Sequence, residues 1–399
     1  MPSENACEPP RRLRVISGLG LFEILTWGSS FYLLAVLAAP IVEDTGWSLA
    51  AVVGALSGGL ILAGLVSPTI GRLIGRHGGR PVLAGATLAL ASGSLLLALS
   101  PNLTVFYAGW VLIGVGMAAG LYDAAFATLG RLYGLSGRSA ITTLTLWGGF
   151  ASTVCWPLSA YLVDQLGWRG TCLAYAAIHI GITLPLVLFT LPREEPRISD
   201  AGTRNARSRD RRAPLPLLVL LGAIGVAMGT ISAAMSVHVL TILQDRGLTL
   251  AAAVGLGALI GPAQVAARVI EMAGRGRHHP LWTLTAATVL VTLGIGLLCW
   301  QTAGTALALV LYGGGNGLNS IAKGTVPLAL FGPERYPEII GALALPQMLA
   351  QALSPSLFAL ALSAHGTRAT LALALVIAAA SVAMVGGLWL HVRRRGADH

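Results

Sequence analysis

Charge is what this chain has least of. Of its 399 residues 11% are Asp, Glu, Lys or Arg, against roughly 25% in soluble domains, so the chain cannot clothe several globular domains in a water-facing skin. Acids are scarcer than bases, 16 against 26, which leaves a net charge of +10. The four cysteines, Cys7, Cys155, Cys172 and Cys299, show no CxxC or metal-ligand spacing, and three lie in apolar runs. They read as packing residues, and no metal site is expected. A Walker loop, an HExxH pair and a nucleophile with an evident base are all missing. Those absences argue against an enzyme and against a nucleotide-driven pump, and no cofactor is called for.

Apolar residues are abundant instead, at 55% with 50 Gly and 20 Pro. In a polar chain that much Gly and Pro would suggest disorder. In apolar helices, small residues let backbones approach closely, and Pro is tolerated where neighbours satisfy the freed carbonyls. The implied solvent is the lipid bilayer. The basic residues are almost all Arg and fall in short loops between apolar runs; they set topology and form no nucleic-acid face. The first apolar run contains Glu23, exceeds the length of a signal-peptide core and lacks a convincing small-residue cleavage site, so no cleavable signal is expected.

A membrane-spanning helix needs roughly 20 apolar residues. Twelve such runs can be read, at 15–41, 48–66, 81–99, 104–129, 140–162, 171–191, 217–243, 248–273, 281–300, 304–331, 339–361 and 369–390, here called spans one to twelve. β-Barrel strands would be about half as long and alternate in polarity, so the fold class is all-α. Arg11, Arg12, Arg14, Arg72, Arg76, Arg80, Arg131, Arg138, the 193–212 stretch, Arg275, Arg277, Arg335 and Arg393 to Arg395 fall on one side. Arg169, Arg246 and Arg368 fall on the other. The positive-inside rule then puts both termini in the cytoplasm, as in a cell inner membrane.

The longest polar segment, 192–213, carries seven Arg and four acids without apolar periodicity. It reads as a solvated cytoplasmic linker between an N-terminal half, 1–191, and a C-terminal half, 214–399. An internal repeat supports the halves. In span four, Val111-Leu112-Ile113-Gly114-Val115-Gly116 resembles Val310-Leu311-Tyr312-Gly313-Gly314-Gly315 in span ten. Loop two–three, Gly75-Arg76-His77-Gly78-Gly79-Arg80-Pro81, resembles loop eight–nine, Gly274-Arg275-Gly276-Arg277-His278-His279-Pro280.

Two six-span halves, a charged central linker and a Gly/Arg loop after span two resemble the major facilitator superfamily. The family signature in that loop runs Gly-x-x-x-Asp-Arg-x-Gly-Arg-Arg, and this chain offers Gly71-Arg72-Leu73-Ile74-Gly75-Arg76-His77-Gly78-Gly79-Arg80. The resemblance makes Gly71, Arg72, Arg76 and Arg80 a gating loop, with Gly75 where the latching Asp belongs. Trp110 stands where span four usually carries an Arg, and the antiporter Gly-Pro of span five appears only as Trp156-Pro157. Three segments are similar to the monocarboxylate-transporter-like branch: residues 26–32 in span one, Gly167-Trp168-Arg169 before span six, and residues 261–268 in span eight. In that branch span eight carries an Asp four residues before an Arg that works toward the substrate carboxylate and proton coupling. Arg268 matches the Arg, and Gln264 replaces the Asp.

Independently of family, an ionised side chain mid-helix costs about 2.5–3.5 kcal/mol on insertion scales, so such residues face a cavity or a partner. Glu23, Asp123, Arg268 and Lys323 qualify; Glu271 lies nearer the helix end, where it can snorkel or pair with Arg268. Asn316, Asn319, Ser320 and Lys323 form a polar stripe on span ten, Gln264, Arg268 and Glu271 one on span eight, and Glu23, Trp27 and Ser30 one on span one. Both acids lie in the first half and both bases in the second. In the family fold, spans one, four, seven and ten line the central cavity, so the resemblance implies an acidic wall facing a basic one.

Arg268 and Lys323 would then bind an anionic substrate while Glu23 or Asp123 carries protons; static ion pairs bracing helices are the alternative. Trp27 and Tyr32 line the cavity or pack, Gln347 and Gln351 contact substrate or bond between helices, and His238 titrates or sits at the interface. The expectation is a secondary transporter of a small organic anion, with a monocarboxylate as the leading candidate, working by alternating access as a monomer. An exporter of drug-like compounds and a transport-fold sensor are the alternatives.

Overall fold

A computed structural model of the chain describes residues 9–194, 215–274, 277–300 and 304–397. Every regular element among them is a helix. Contacts divide the chain into two compact units, Met1–Pro196 and Arg197–His399. Of the linker expected over 192–213, residues 195–213 lie outside the described residues, as do Cys7, Arg275 and Gly276.

Eight helical stretches among the described residues are long and apolar enough to cross a bilayer. Their internal corners resolve them into spans. Leu103–Thr190 holds three: Leu103–Gly120 with Tyr122–Tyr133 forms span four, and Gly137–Gly149 runs into Ala151–Ile178, which turns at Gly167, φ 69°. Tyr336–Ala397 turns in the same way at Gly366, φ 75°. Glycine alone takes that left-handed backbone without a Cβ clash, so these two residues set the corners between spans five and six and between eleven and twelve. Thr305–Phe331 is span ten; its Gly, Asn and Lys stripe makes it less apolar than the rest. With these corners the twelve helices of the expected fold are accounted for.

Between helices in lipid there is no hydrophobic drive, so close packing has to hold them together. The repeated glycine motif supplies it in both units. In the first, a Cβ on Gly114 would lie 2.7 Å from the Gly59 carbonyl oxygen of span two, and one on Gly116 would lie 3.2 Å from Leu90 N of span three. In the second, a Cβ on Gly313 would lie 2.6 Å from the Ile260 carbonyl oxygen of span eight, and one on Gly315 would lie 2.7 Å from that of Ala287 in span nine. The two glycines of each motif thus press their helix against the two preceding spans. This is the physical content of the sequence match.

The halves also share corner chemistry that the sequence comparison missed. Trp168 Nε1 donates to Asp44 Oδ2 at 2.9 Å, while Arg169 donates to the carbonyls of Ala98 and Ser100 at 3.0 and 2.8 Å. In the second unit Thr367 Oγ1 donates to Asp245 Oδ2 at 2.6 Å, and Arg246 donates to the Leu298 carbonyl. Spans two and eight then start alike, with Ser48 and Thr249 capping the N–H groups of Ala51 and Ala252. One difference separates the units. Span one is interrupted between Gly28 and Leu33 and span four at Leu121, whereas their counterparts Leu215–Asp245 and Thr305–Phe331 run unbroken.

Candidate functional site

In the second unit, spans seven, nine, ten and eleven line a partly open cavity of about 40 Å³. Its polar lining is Asn319, Lys323 and Gln347, and aliphatic residues such as Leu221, Ile224 and Leu343 make the walls. Asn319 and Lys323 are four residues apart, so one helical turn stacks them on the same face. Pro327 is one turn further on and also lines the cavity. Gln347 is 7% exposed. An ammonium and two carboxamides inside aliphatic walls can hold a small anion through charge-assisted hydrogen bonds.

Arg268 does not line this cavity. It is buried at 5% exposure and reaches across to span ten, its Nε 3.4 Å from the Gly317 carbonyl oxygen and its Nη2 3.5 Å from Gln264 Oε1. Of the two bases expected to bind the substrate, Lys323 lines this cavity and Arg268 does not. Asn316 on span ten is half-buried. Glu271 accepts from Thr283 at 2.8 Å and pairs with His278 at 3.1 Å, so His278, a loop residue with no expected role, closes the end of spans eight and nine. His238 donates to the Pro355 carbonyl at 2.8 Å, a structural bond between spans seven and eleven.

In the first unit, Glu23 is fully buried and its Oε2 accepts from Trp27 Nε1 at 2.8 Å. Trp27 is the centre of an aromatic group: Phe31, Tyr32 and Tyr122 lie 5.3, 5.8 and 5.3 Å away between ring centroids, and Trp156 lies 6.0 Å from Tyr32. Trp27 and Tyr32 are only half-buried. Asp123, 5% exposed, stands in the first turn of Tyr122–Tyr133, immediately after the break at Leu121. The unpartnered N–H groups of a helix start favour negative charge there. The break thus gives a buried acid a seat that a continuous helix would not.

At the arginine-rich end of this unit, the region from Gly71 to Arg80 is a helix end, a single turn at Gly78 (φ 85°) and a new helix from Gly79. Gly71 is buried, and Arg72 and Arg76 are exposed; Arg72 donates to Thr69 at 3.0 Å and Arg80 to the Leu188 carbonyl at 2.7 Å. Arg131 donates to the Gly75 carbonyl and, through Nε, to Glu194 Oε2 at 2.5 Å; Glu194 Oε1 accepts from Gly79 N at 3.2 Å. Arg131→Ala is expected to cost about 2 kcal/mol, less than the 3–5 kcal/mol of a fully buried pair, because Glu194 keeps 15% exposure. The fall in melting temperature of the purified protein measures it. Glu194→Gln should lose less, and equal melting of all three proteins would refute the clasp.

The sequence profile of the Major Facilitator Superfamily matches residues 19–355. The chain belongs to the major facilitator superfamily. It is 28% identical over 196 residues to the transcription regulatory protein OpdE of Pseudomonas aeruginosa, covering 47% of each chain. It is 30% identical over 189 residues to human monocarboxylate transporter 11, covering 46% of this chain and 38% of that one. Against a multidrug resistance protein B homolog of Mycobacterium tuberculosis it is 28% identical over 168 residues, 42% of this chain and 31% of that one. The chain thus matches less than half the length of each of these relatives. The crystal structure of the human organic anion transporter MFSD10 superposes with a TM-score of 0.75 at 17% identity, over 95% of this chain and 100% of that one; at that identity the likeness establishes the fold.

Within a major facilitator framework, two departures in sequence acquire neighbours. Trp110, where an Arg is usual, is 1% exposed and packs on Gly59 of span two. Gly75, where the Asp is usual, offers its carbonyl to Arg131, and the carboxylate comes from Glu194 instead. Sequence reasoning left Glu194 in the linker and passed over His179, which is fully buried in span six. A histidine in the middle of an apolar run was the available sign, of the same kind that singled out the four charged residues.

Proposed function

We propose that this major facilitator protein is a secondary transporter of a small organic anion, a monocarboxylate by preference, working by alternating access. The observation that carries the reading is the cavity in the second unit, where Lys323, Asn319 and Gln347 are the polar groups in aliphatic walls. The carboxylate binds the Lys323 ammonium and the two amides; a short carbon chain meets the walls. Arg268 and Gln264 form a second basic station against span ten, with Asn316 on that span completing the site of this reading, and the similarity to monocarboxylate transporters supports an anion in both.

Asp123 and Glu23 are the proton carriers of this reading, and the aromatic group around Trp27 and Tyr32 shields Glu23. The region of Gly71, Arg72, Arg76 and Arg80 gates. The linker 192–213 joins halves 1–191 and 214–399. The arginine distribution supports cytoplasmic termini and a bacterial inner membrane, and one chain completes the cycle.

Reconstituted protein should accumulate a labelled short monocarboxylate when a pH gradient alone is applied, and Asp123→Asn should abolish accumulation while sparing exchange across equal pH. Accumulation indifferent to pH would remove the proton from the scheme, and failure to exchange any small carboxylate would remove the anion. A second reading, export of drug-like cations, is favoured by the aromatic group beside buried Glu23 and by the similarity to a multidrug resistance protein; susceptibility of a deletion strain to a compound panel separates it. Counterflow in liposomes separates both from a sensor that binds without moving its ligand.

A further inference from the structure

Two irregularities in the first unit meet at one buried hydrogen bond. Span one leaves the helix after Gly28 and resumes it at Leu33; across the break Tyr32 N donates to the Trp27 carbonyl, five residues back, at 3.0 Å. Span six contains a single π-helical turn, His179–Thr183. Its first residue, His179, sets Nε2 2.7 Å from Oγ of Ser29, the first residue of the break. Both side chains are fully buried. With the serine proton on the Leu25 carbonyl at 2.8 Å, His179 Nε2 donates in the contact between the spans; with the other tautomer the hydroxyl donates to Nε2.

His179 Nδ1 has no hydrogen-bond partner among the described residues. An unsatisfied buried polar atom costs about 1–3 kcal/mol, which an aliphatic residue filling the same space would avoid. Packing alone therefore does not explain the imidazole, whereas the bond to Ser29 does. π-Turns inside helices occur frequently at functional sites, and here the π-turn begins at the residue whose ring reaches the break in span one. Just before the break stands Trp27, which donates to Glu23, and within it Tyr32 packs on Trp27. From span five the same stretch is touched by Cys155, whose thiol makes a weak bond to the Ile24 carbonyl at 3.4 Å.

We propose that His179 is a positioning residue that fixes the break in span one, and through it the Trp27–Glu23 pair. The proposal rests on the transport reading only for its consequence in the cycle. Hydrogen–deuterium exchange of the purified full chain in lipid nanodiscs tests the positioning directly. In His179→Ala and Ser29→Ala, amides from 29 to 35 should exchange about tenfold faster than in the unmodified protein, while helices of the second unit stay unchanged. His179→Gln, which keeps an N–H donor, should restore most of the protection, and the double variant His179→Ala with Ser29→Ala should exchange no faster than either single one.

The counterflow rate of a labelled short carboxylate should fall about tenfold in His179→Ala with KM unchanged, because His179 lies in the other unit from Lys323. Unchanged exchange at 29–35 in a folded His179→Ala, no rescue by Gln, or additive effects in the double variant would each overturn the proposal. If His179→Ala fails to insert, Ser29→Ala and His179→Gln decide alone. If the unmodified protein carries no carboxylate, the substrate reading fails by itself and the exchange data still decide the hinge.

Discussion

Replacing Lys323 with Gln is expected to weaken uptake of a short monocarboxylate by roughly 30- to 150-fold in apparent affinity, the equivalent of about 2–3 kcal/mol for a hydrogen bond to a charged group. Gln keeps a donor and most of the length, so the loss isolates the charge. Lys323→Arg should rescue poorly. The guanidinium is a planar fork larger than an ammonium, and the cavity is only about 40 Å³, so the substrate would be displaced by the side chain meant to hold it. Gln347→Leu removes a neutral donor and should cost less, about 1 kcal/mol or fivefold. Initial-rate uptake into proteoliposomes, against the melting temperature of each variant, gives the ranking. Lys323→Gln that transports like the unmodified protein would end the assignment of the cavity as the anion site.

The spans were legible because lipid imposes a length: about 20 apolar residues per crossing leave a pattern that survives any detail of packing. The glycine match between spans four and ten was legible too, and its cause is that Gly114 and Gly116, like Gly313 and Gly315, must admit two neighbouring helices. Other features had no such mark. The breaks at Ser29–Tyr32 and Leu121 carry no proline, and a π-turn at His179 is set by what it packs on rather than by its own residues. Helical spacing placed Lys323 with Asn319, one turn away, but spacing on one helix does not say which neighbouring helix the stripe meets. The family resemblance put Arg268 and Lys323 on one basic wall; Arg268 reaches the Gly317 carbonyl, and Lys323 lines a cavity with Gln347. Glu194 was hidden by its surroundings: one of four acids in a stretch of arginines reads as solvated until its partner, 63 residues earlier, is seen.

Gly317→Ala is expected to do more damage than its single methyl suggests. A Cβ there would lie 2.5 Å from the Gln264 carbonyl oxygen and 2.8 Å from its Cα; both are backbone, so no rotamer change relieves the clash and spans eight and ten must part. Overpacking of this kind costs about 1–3 kcal/mol, and in lipid no hydrophobic drive draws the helices back together. The displaced segment carries Gln264 and, one turn on, Arg268, whose contact with the Gly317 carbonyl is already long at 3.4 Å. Transport should therefore fall along with the melting temperature. Gly386 in span twelve is the control: a Cβ there meets nothing within 4 Å, so Gly386→Ala should leave melting unchanged or raise it by up to about 1 kcal/mol through helix propensity. If Gly317→Ala melts with the unmodified protein, or if Gly386→Ala loses as much, close approach of these two helices is not what holds the second unit together.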